Sequence, residues 1–218
     1  MRSLVLFIAC ISLATPIHAA ESSKLHIGQF SQQSSQGWSE KEFSGNTAYR
    51  LVTDSQRQQT VMQANSQAAA SGLFYEQRID LAKTPWLHWS WKSNAVFQGI
   101  NENHKSGDDF VARIYVVIDG GMFFWNTLAL NYVWSSSHQV DDVWDNPFTA
   151  NATMFAVESG QSTADTWLYY QRNVRQDLSR LLGKDVRYID AIAIMTDSDN
   201  SGQQATTFYG DIYFSSAP

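Results

Sequence analysis

The sequence predicts an all-β protein, a jelly-roll-like sandwich of two sheets, on three observations. Apolar residues recur with a period of two in short bursts. Clusters of Gly, Pro, Asn, Asp and Ser bound the bursts, and no alternating helical pattern separates them. Successive strand side chains point to opposite faces, so a period of two marks half-buried strands. Many such strands without intervening helices exclude a Rossmann or barrel α/β fold.

Taken in order, strands are expected at 25–30, 48–53, 59–64, 73–81, 86–91, 110–118, 123–134, 153–158, 166–173, 188–196 and 206–214. The polar run 31–36 (SQQSSQ) forms a loop after the first. In 73–81, Leu73, Tyr75 and Ile79 share one face and Phe74, Glu76, Arg78 and Asp80 the other. The segment 97–109, with Gly99, Asn101, Asn103 and Gly107, is a long connection of the kind that often carries function. In 109–118 the face with Phe110, Ala112, Ile114, Val116 and Ile118 reads as core. Asp109, Val111, Arg113, Tyr115 and Val117 then point outward. Trp134 continues an apolar face with Leu128, Leu130 and Tyr132 and belongs to the core. In 166–173, Tyr170 and Arg172 oppose Trp167, Tyr169 and Asn173. One short helix is expected at 174–182, with Gly183 as its C-cap.

Before these elements, residues 1–20 read as a secretory signal peptide: basic Arg2, an apolar stretch from Leu4 to Ala14, Pro16 and the small pair Ala19-Ala20. The apolar run is too short to span a bilayer. The single cysteine, Cys10, leaves with it, so the remaining chain has no thiol or disulfide. Residues 21–218 fit one sandwich domain with a core large enough to need no disulfide. Acidic residues outnumber Lys and Arg by 21 to 15, for a net charge of −6, and there is no basic run. That balance excludes nucleic acid as a partner. After the signal peptide no apolar stretch is long enough to integrate into a membrane. An exported, periplasmic protein follows.

Several strands present a polar face set with aromatic residues: Glu76, Arg78, Asp109, Arg113 and Arg172, with Trp144 at its edge in the loop-like run 141–147 (DDVWDNP). Cross-strand ion pairing on a solvated face explains this pattern. So does a ligand face on which carboxylates and guanidinium groups bind sugar hydroxyls while an aromatic ring stacks on the sugar.

Residues 197–202 (DSDNSG) match the opening of a calcium loop, in which Asp197, Asp199 and Ser201 are ligands and the Gly permits the turn. The twelfth position is Phe208 and not Glu, which excludes an EF-hand. Either an Asx-rich turn or a calcium site completed by Asp108, Asp109 or Asp211 remains, and no other cofactor is implied. His26, His88, His104 and His138 lack metal-site spacing. Residues 160–164 (GQSTA) lack the second glycine of a nucleophile elbow. Among Glu76, Asp108, Asp109 and Asp211, spacing singles out no catalytic pair.

The runs 107–118 (GDDFVARIYVVI), 129–134 (ALNYVW), 146–157 (NPFTANATMFAV), 171–177 (QRNVRQD) and 191–211 (AIAIMTDSDNSGQQATTFYGD) resemble the bacterial domain of unknown function 3047 family. The resemblance spans roughly residues 70–214 and implies an exported protein, with no catalytic residue to carry over. The closing run 207–214 (TFYGDIYF) is similar to the last strand of galactose-binding-like jelly rolls and of many carbohydrate-binding modules, a likeness of fold. The expected function is a non-catalytic glycan-binding module of the cell envelope. The alternatives are a polysaccharide hydrolase or lyase using paired carboxylates, or an interaction subunit that meets an envelope protein.

Overall fold

The computed structural model describes residues 23–121 and 126–218; the expected signal peptide and the start of the expected strand 123–134 lie outside them. Fourteen strands run in chain order: β1 (Lys24–Gly28), β2 (Trp38–Ser44), β3 (Ala48–Asp54), β4 (Gln59–Gln67), β5 (Ala70–Asp80), β6 (Trp86–Ser93), β7 (Arg113–Ile118), β8 (Leu128–Ser135), β9 (Val143–Asn146), β10 (Thr149–Ser159), β11 (Leu168–Asn173), β12 (Tyr188–Met195), β13 (Gln204–Tyr209) and β14 (Ile212–Ser215). Among the described residues a single α-helix, α1 (Val174–Leu182), joins β11 to β12. No helix among the described residues is long and apolar enough to cross a membrane.

The strands form two sheets of a jelly-roll sandwich. The first has the order β1-β14-β6-β13-β4-β3, with β11 on the other side of β6. The second runs β2-β5-β12-β7-β8-β10-β9. Between them lies one continuous core. Leu87, Trp91, Tyr209 and Phe214 from the first sheet meet Ile114, Val116, Tyr132, Trp134, Ile192 and Ile194 from the second. Trp89 is stacked between Tyr132 and Tyr170, with ring centroids 5.4 and 5.2 Å away. The period-two pattern exists because these inward positions must exclude water while their neighbours face out.

Two strands carry no such pattern and escaped the sequence reading. β2 (WSEKEFS) is an edge strand whose side chains are exposed or half-exposed, so nothing selects apolar residues along it. β9 (VWDN) replaces the loop expected around Trp144. The expected strand 110–118 begins three residues later, at Arg113. Ahead of it the alternation slips: Val111, expected outside, lies in the main core, and Phe110 is buried in a separate cluster with Val133 and Met154. The expected strand 206–214 is broken at Gly210-Asp211 into β13 and β14. Asn173 caps α1 by accepting from the Gln176 backbone N–H at 3.0 Å, and Gly183 ends it with φ +64°.

Candidate functional site

The outward face of the second sheet holds a groove of about 380 Å³. Its floor comes from strand register: Met195 lies beside Arg113, and Ala193 beside Tyr115, which lies beside Asn131. The small side chains of Ala70 and Ala152 also line the groove. Phe43 from β2 and Phe148 from the β9–β10 turn wall the groove, 62% and 53% exposed. One end is closed by Asp108 and by the 197–200 loop. Gly107 brings the first of these segments in, because a side chain there would strike the Asn101 backbone at 2.4 Å.

A buried ion-pair network holds that end together. Arg113 donates from Nε to Asp197 Oδ1 at 2.9 Å, and its Nη2 grips Asp197 Oδ2. The same nitrogen donates to the Asp108 carbonyl at 2.8 Å, and Nη1 donates to the Tyr115 hydroxyl at 3.1 Å. Asp109 accepts from the backbone and side-chain nitrogens of Asn200, both at 3.2 Å, and from the Ser201 N–H at 2.5 Å. Asn146 Nδ2 donates to both oxygens of Asp108, at 2.9 and 2.8 Å.

The electrostatics follow from crowding of carboxylates in a dry site. Burial pushes the Asp197 carboxyl up to about 8, against the pull of Arg113, with Asp109 and Asp108 adding to the rise. Burial also raises Asp108 and Asp199 above the usual carboxylate range. Arg113 loses by desolvation but gains more from Asp197, and stays firmly protonated.

Of the residues singled out in the sequence, the fold brings Asp109, Arg113, Asp197 and Asp199 together at this end of the groove. Ser201 is adjacent, but its Oγ accepts from the Gln203 N–H at 3.3 Å within the turn. Glu76 stands on the exposed part of the same sheet and pairs with Lys41 at 2.7 Å. Arg78 stacks on Tyr188, 4.3 Å from the ring centroid. Trp144 is stacked 3.7 Å from His138 and packs on the Phe110 cluster. Arg172 belongs to the first sheet and is paired at 2.8 Å with Asp177, which also accepts from Tyr132. Asp211 accepts from the Ser31 N–H at 2.8 Å. Asn131, Asn146, Phe43 and Phe148 were not singled out. Phe43 and Phe148 sit in polar segments, and only strand pairing shows that they face one cleft.

Asp109, Asp197 and Asp199 each offer an oxygen within 4.8 Å of the others, so this acidic triad could hold a metal ion. The donor set suits a hard cation such as calcium. Arg113 already supplies positive charge to it.

The model of the family described as a protein of unknown function, DUF3047, matches residues 36–213. The chain belongs to the DUF3047 family. In this DUF3047 protein the matched stretch includes every residue of the groove named above. No curated protein matches the chain. Among solved structures, a family 30 carbohydrate-binding module of a Clostridium thermocellum cellulosomal cellulase is similar at a TM-score of 0.50 and 11% identity, covering 88% of this chain and 96% of that one. A thermo-stable cellulase derived from a Rhodothermus marinus enzyme gives 0.48 and 11%, covering 88% and 100%. A mutant family 29 carbohydrate-binding module complexed with cellulohexaose gives 0.41 and 10%, covering 91% and 94%. The likeness to the family 30 module is one of fold, the jelly-roll β-sandwich.

Proposed function

We propose that this DUF3047 protein is a non-catalytic glycan-binding module, exported to the periplasm by its first twenty residues, that holds a saccharide in the groove of the second sheet. The observation that carries the reading is the pairing of exposed Phe43 and Phe148 walls with a rigid polar floor fixed by Arg113. A pyranose offers apolar C–H faces to aromatic rings and a rim of hydroxyls to carboxylates and amides, and this groove presents both. The family 30 module of similar fold is, by its name, a binder of carbohydrate.

The hydrolase or lyase alternative needs two carboxylates free to act. Asp197 is gripped by Arg113 and Asp108 by Asn146, each on both oxygens, and Asp109 by Asn200 and Ser201, so three of the four carboxylates at this end work as braces.

Thermal melts of the protein against a panel of envelope glycans test the reading, because a ligand selective for the native state raises the midpoint. A glycan-dependent rise that Phe148→Ala abolishes is expected. Release of reducing ends from the bound glycan would favour the enzyme. No rise with any glycan, together with a copurifying envelope protein, would favour an interaction subunit. Repeating the melts with calcium and then chelator reads the acidic triad: a calcium-dependent rise lost in Asp199→Asn assigns the ion there. N-terminal sequencing of periplasmic material, expected to begin at Glu21, tests export.

A further inference from the structure

The hydrogen-bonding balance of the groove selects among glycans. Four of its donor side chains are turned inward onto the protein's own oxygens: Arg113 onto Asp197, Asn146 onto Asp108, Asn200 onto Asp109, and the Asn131 amide nitrogen onto the Thr153 carbonyl at 3.5 Å. The acceptors are in surplus. Asn131, 1% exposed and lining the groove, has a buried Oδ1 with no partner. A buried carbonyl oxygen left without a donor is costly, and this one belongs to a residue that lines the groove. Among the described lining residues Arg113 is the sole cation, against Asp108, Asp197 and Asp199.

We propose that the groove selects a cationic amino sugar, a glycan whose amino groups are free and protonated, over neutral and uronic-acid glycans; this rests on the glycan-binding reading above. A sugar hydroxyl brings one donor and two lone pairs, and the lone pairs meet the carboxylates unfavourably. An ammonium brings three donors and no lone pair. It supplies the hydrogen bond that Asn131 Oδ1 lacks and charge-assisted bonds to Asp108 and Asp199. N-acetylation would remove the charge and add an acceptor, and a uronate would add a carboxylate to three already crowded. The ring carbons of the same sugar lie against Phe43 and Phe148, which a simple polyamine would leave uncovered.

Calorimetric titration of the full protein at low ionic strength with a glucosamine tetramer, its fully N-acetylated counterpart, cellotetraose and spermine tests this. The glucosamine tetramer is expected to bind about tenfold or more tightly than the other two tetramers, and added salt should shrink the advantage. Asp199→Asn, at a partly exposed position, and independently Asp108→Asn should each narrow the ratio between charged and neutral tetramers about tenfold. Equal affinity for cellotetraose would overturn the charge selection and leave the glycan-binding reading standing. Spermine binding more tightly than the glucosamine tetramer would overturn the sugar. Failure of every saccharide to bind would remove both readings.

Discussion

The two outward faces of the sandwich each carry a buried ion pair, and the pairs differ in what surrounds the carboxylate. On the first sheet, Lys92 donates to Asp54 at 2.5 Å, while Trp167 Nε1 at 3.0 Å and the backbone nitrogens of Gln56 and Arg57 at 3.1 and 2.9 Å complete its shell. Arg57 closes over the site between Trp167 and Tyr169, 3.7 and 4.7 Å from their centroids. Burial works against the Asp54 charge, yet Lys92 and Trp167 hold its carboxyl below the usual range. On the second sheet Asp108, Asp109, Asp197 and Asp199 share one cation, Arg113, and the carboxyls of Asp197, Asp108 and Asp199 are raised. A carboxylate with donors to spare is a closed staple. A cluster with acceptors to spare stays open to a cation or a donor-rich ligand.

The contrast breaks most directly on removal of each cation. Arg113→Met leaves the buried carboxylates of the groove without a counter-charge and should cost about 3–5 kcal/mol in urea denaturation. Lys92→Met leaves Asp54 with its other donors and should cost about 1–3 kcal/mol. Equal losses would mean that the two sites are built alike.

Acid titration separates the faces by sign. Asp108 and Asp199 titrate above their unfolded value, so their contribution makes stability fall as pH rises through and just past the usual carboxylate range of about 4, and Asp197 extends the decline towards 8. Asp54 acts oppositely: its stabilisation is present above the unfolded value and is lost as pH falls through the lowered native one. Carboxyl NMR should show Asp54 titrating below, and Asp199 above, the usual range. Asp199→Asn should flatten the decline towards neutral pH.

Smaller effects locate the ligand. Phe148→Ala or Phe43→Ala should weaken glycan binding about three- to tenfold, whereas Tyr169→Ala, on the first sheet, should leave affinity unchanged. Loss of binding in Tyr169→Ala would move the site to the cavity of about 530 Å³ that Tyr169, Arg57, His88 and Tyr213 line. Smallest of all is Glu76→Gln. The exposed Lys41–Glu76 pair should change stability by less than about 0.5 kcal/mol.

Much of the sandwich was legible because a face buried against another sheet must alternate, as Leu73, Ile79 and Leu81 do. β2 and β9 were not, since edge strands bury too little to leave a pattern. Asp109, Arg113, Asp197 and Asp199 were visible as chemistry, while their meeting was not. Arg113 and Asp197 are 84 residues apart and are joined by the β7–β12 register, with Met195 beside Arg113. Arg172 was placed on the ligand face because alternation gives parity within one strand and does not say which sheet the strand joins. The unpartnered Asn131 oxygen has no counterpart in sequence at all.

The break at Gly210-Asp211 lets the last segment of chain serve two neighbours. β13 pairs with β4, β14 pairs with β1, and both lie along β6. The first sheet is therefore laced together by residues 204–215, and β1 waits for a partner nearly the whole chain away. Closing such loops is slow, because their entropy is lost before the contacts form. As the chain folds, the second sheet can begin to assemble from β5 through β12 while the first stays unzipped. The sandwich is accordingly unfinished until β13 and β14 pair along β6.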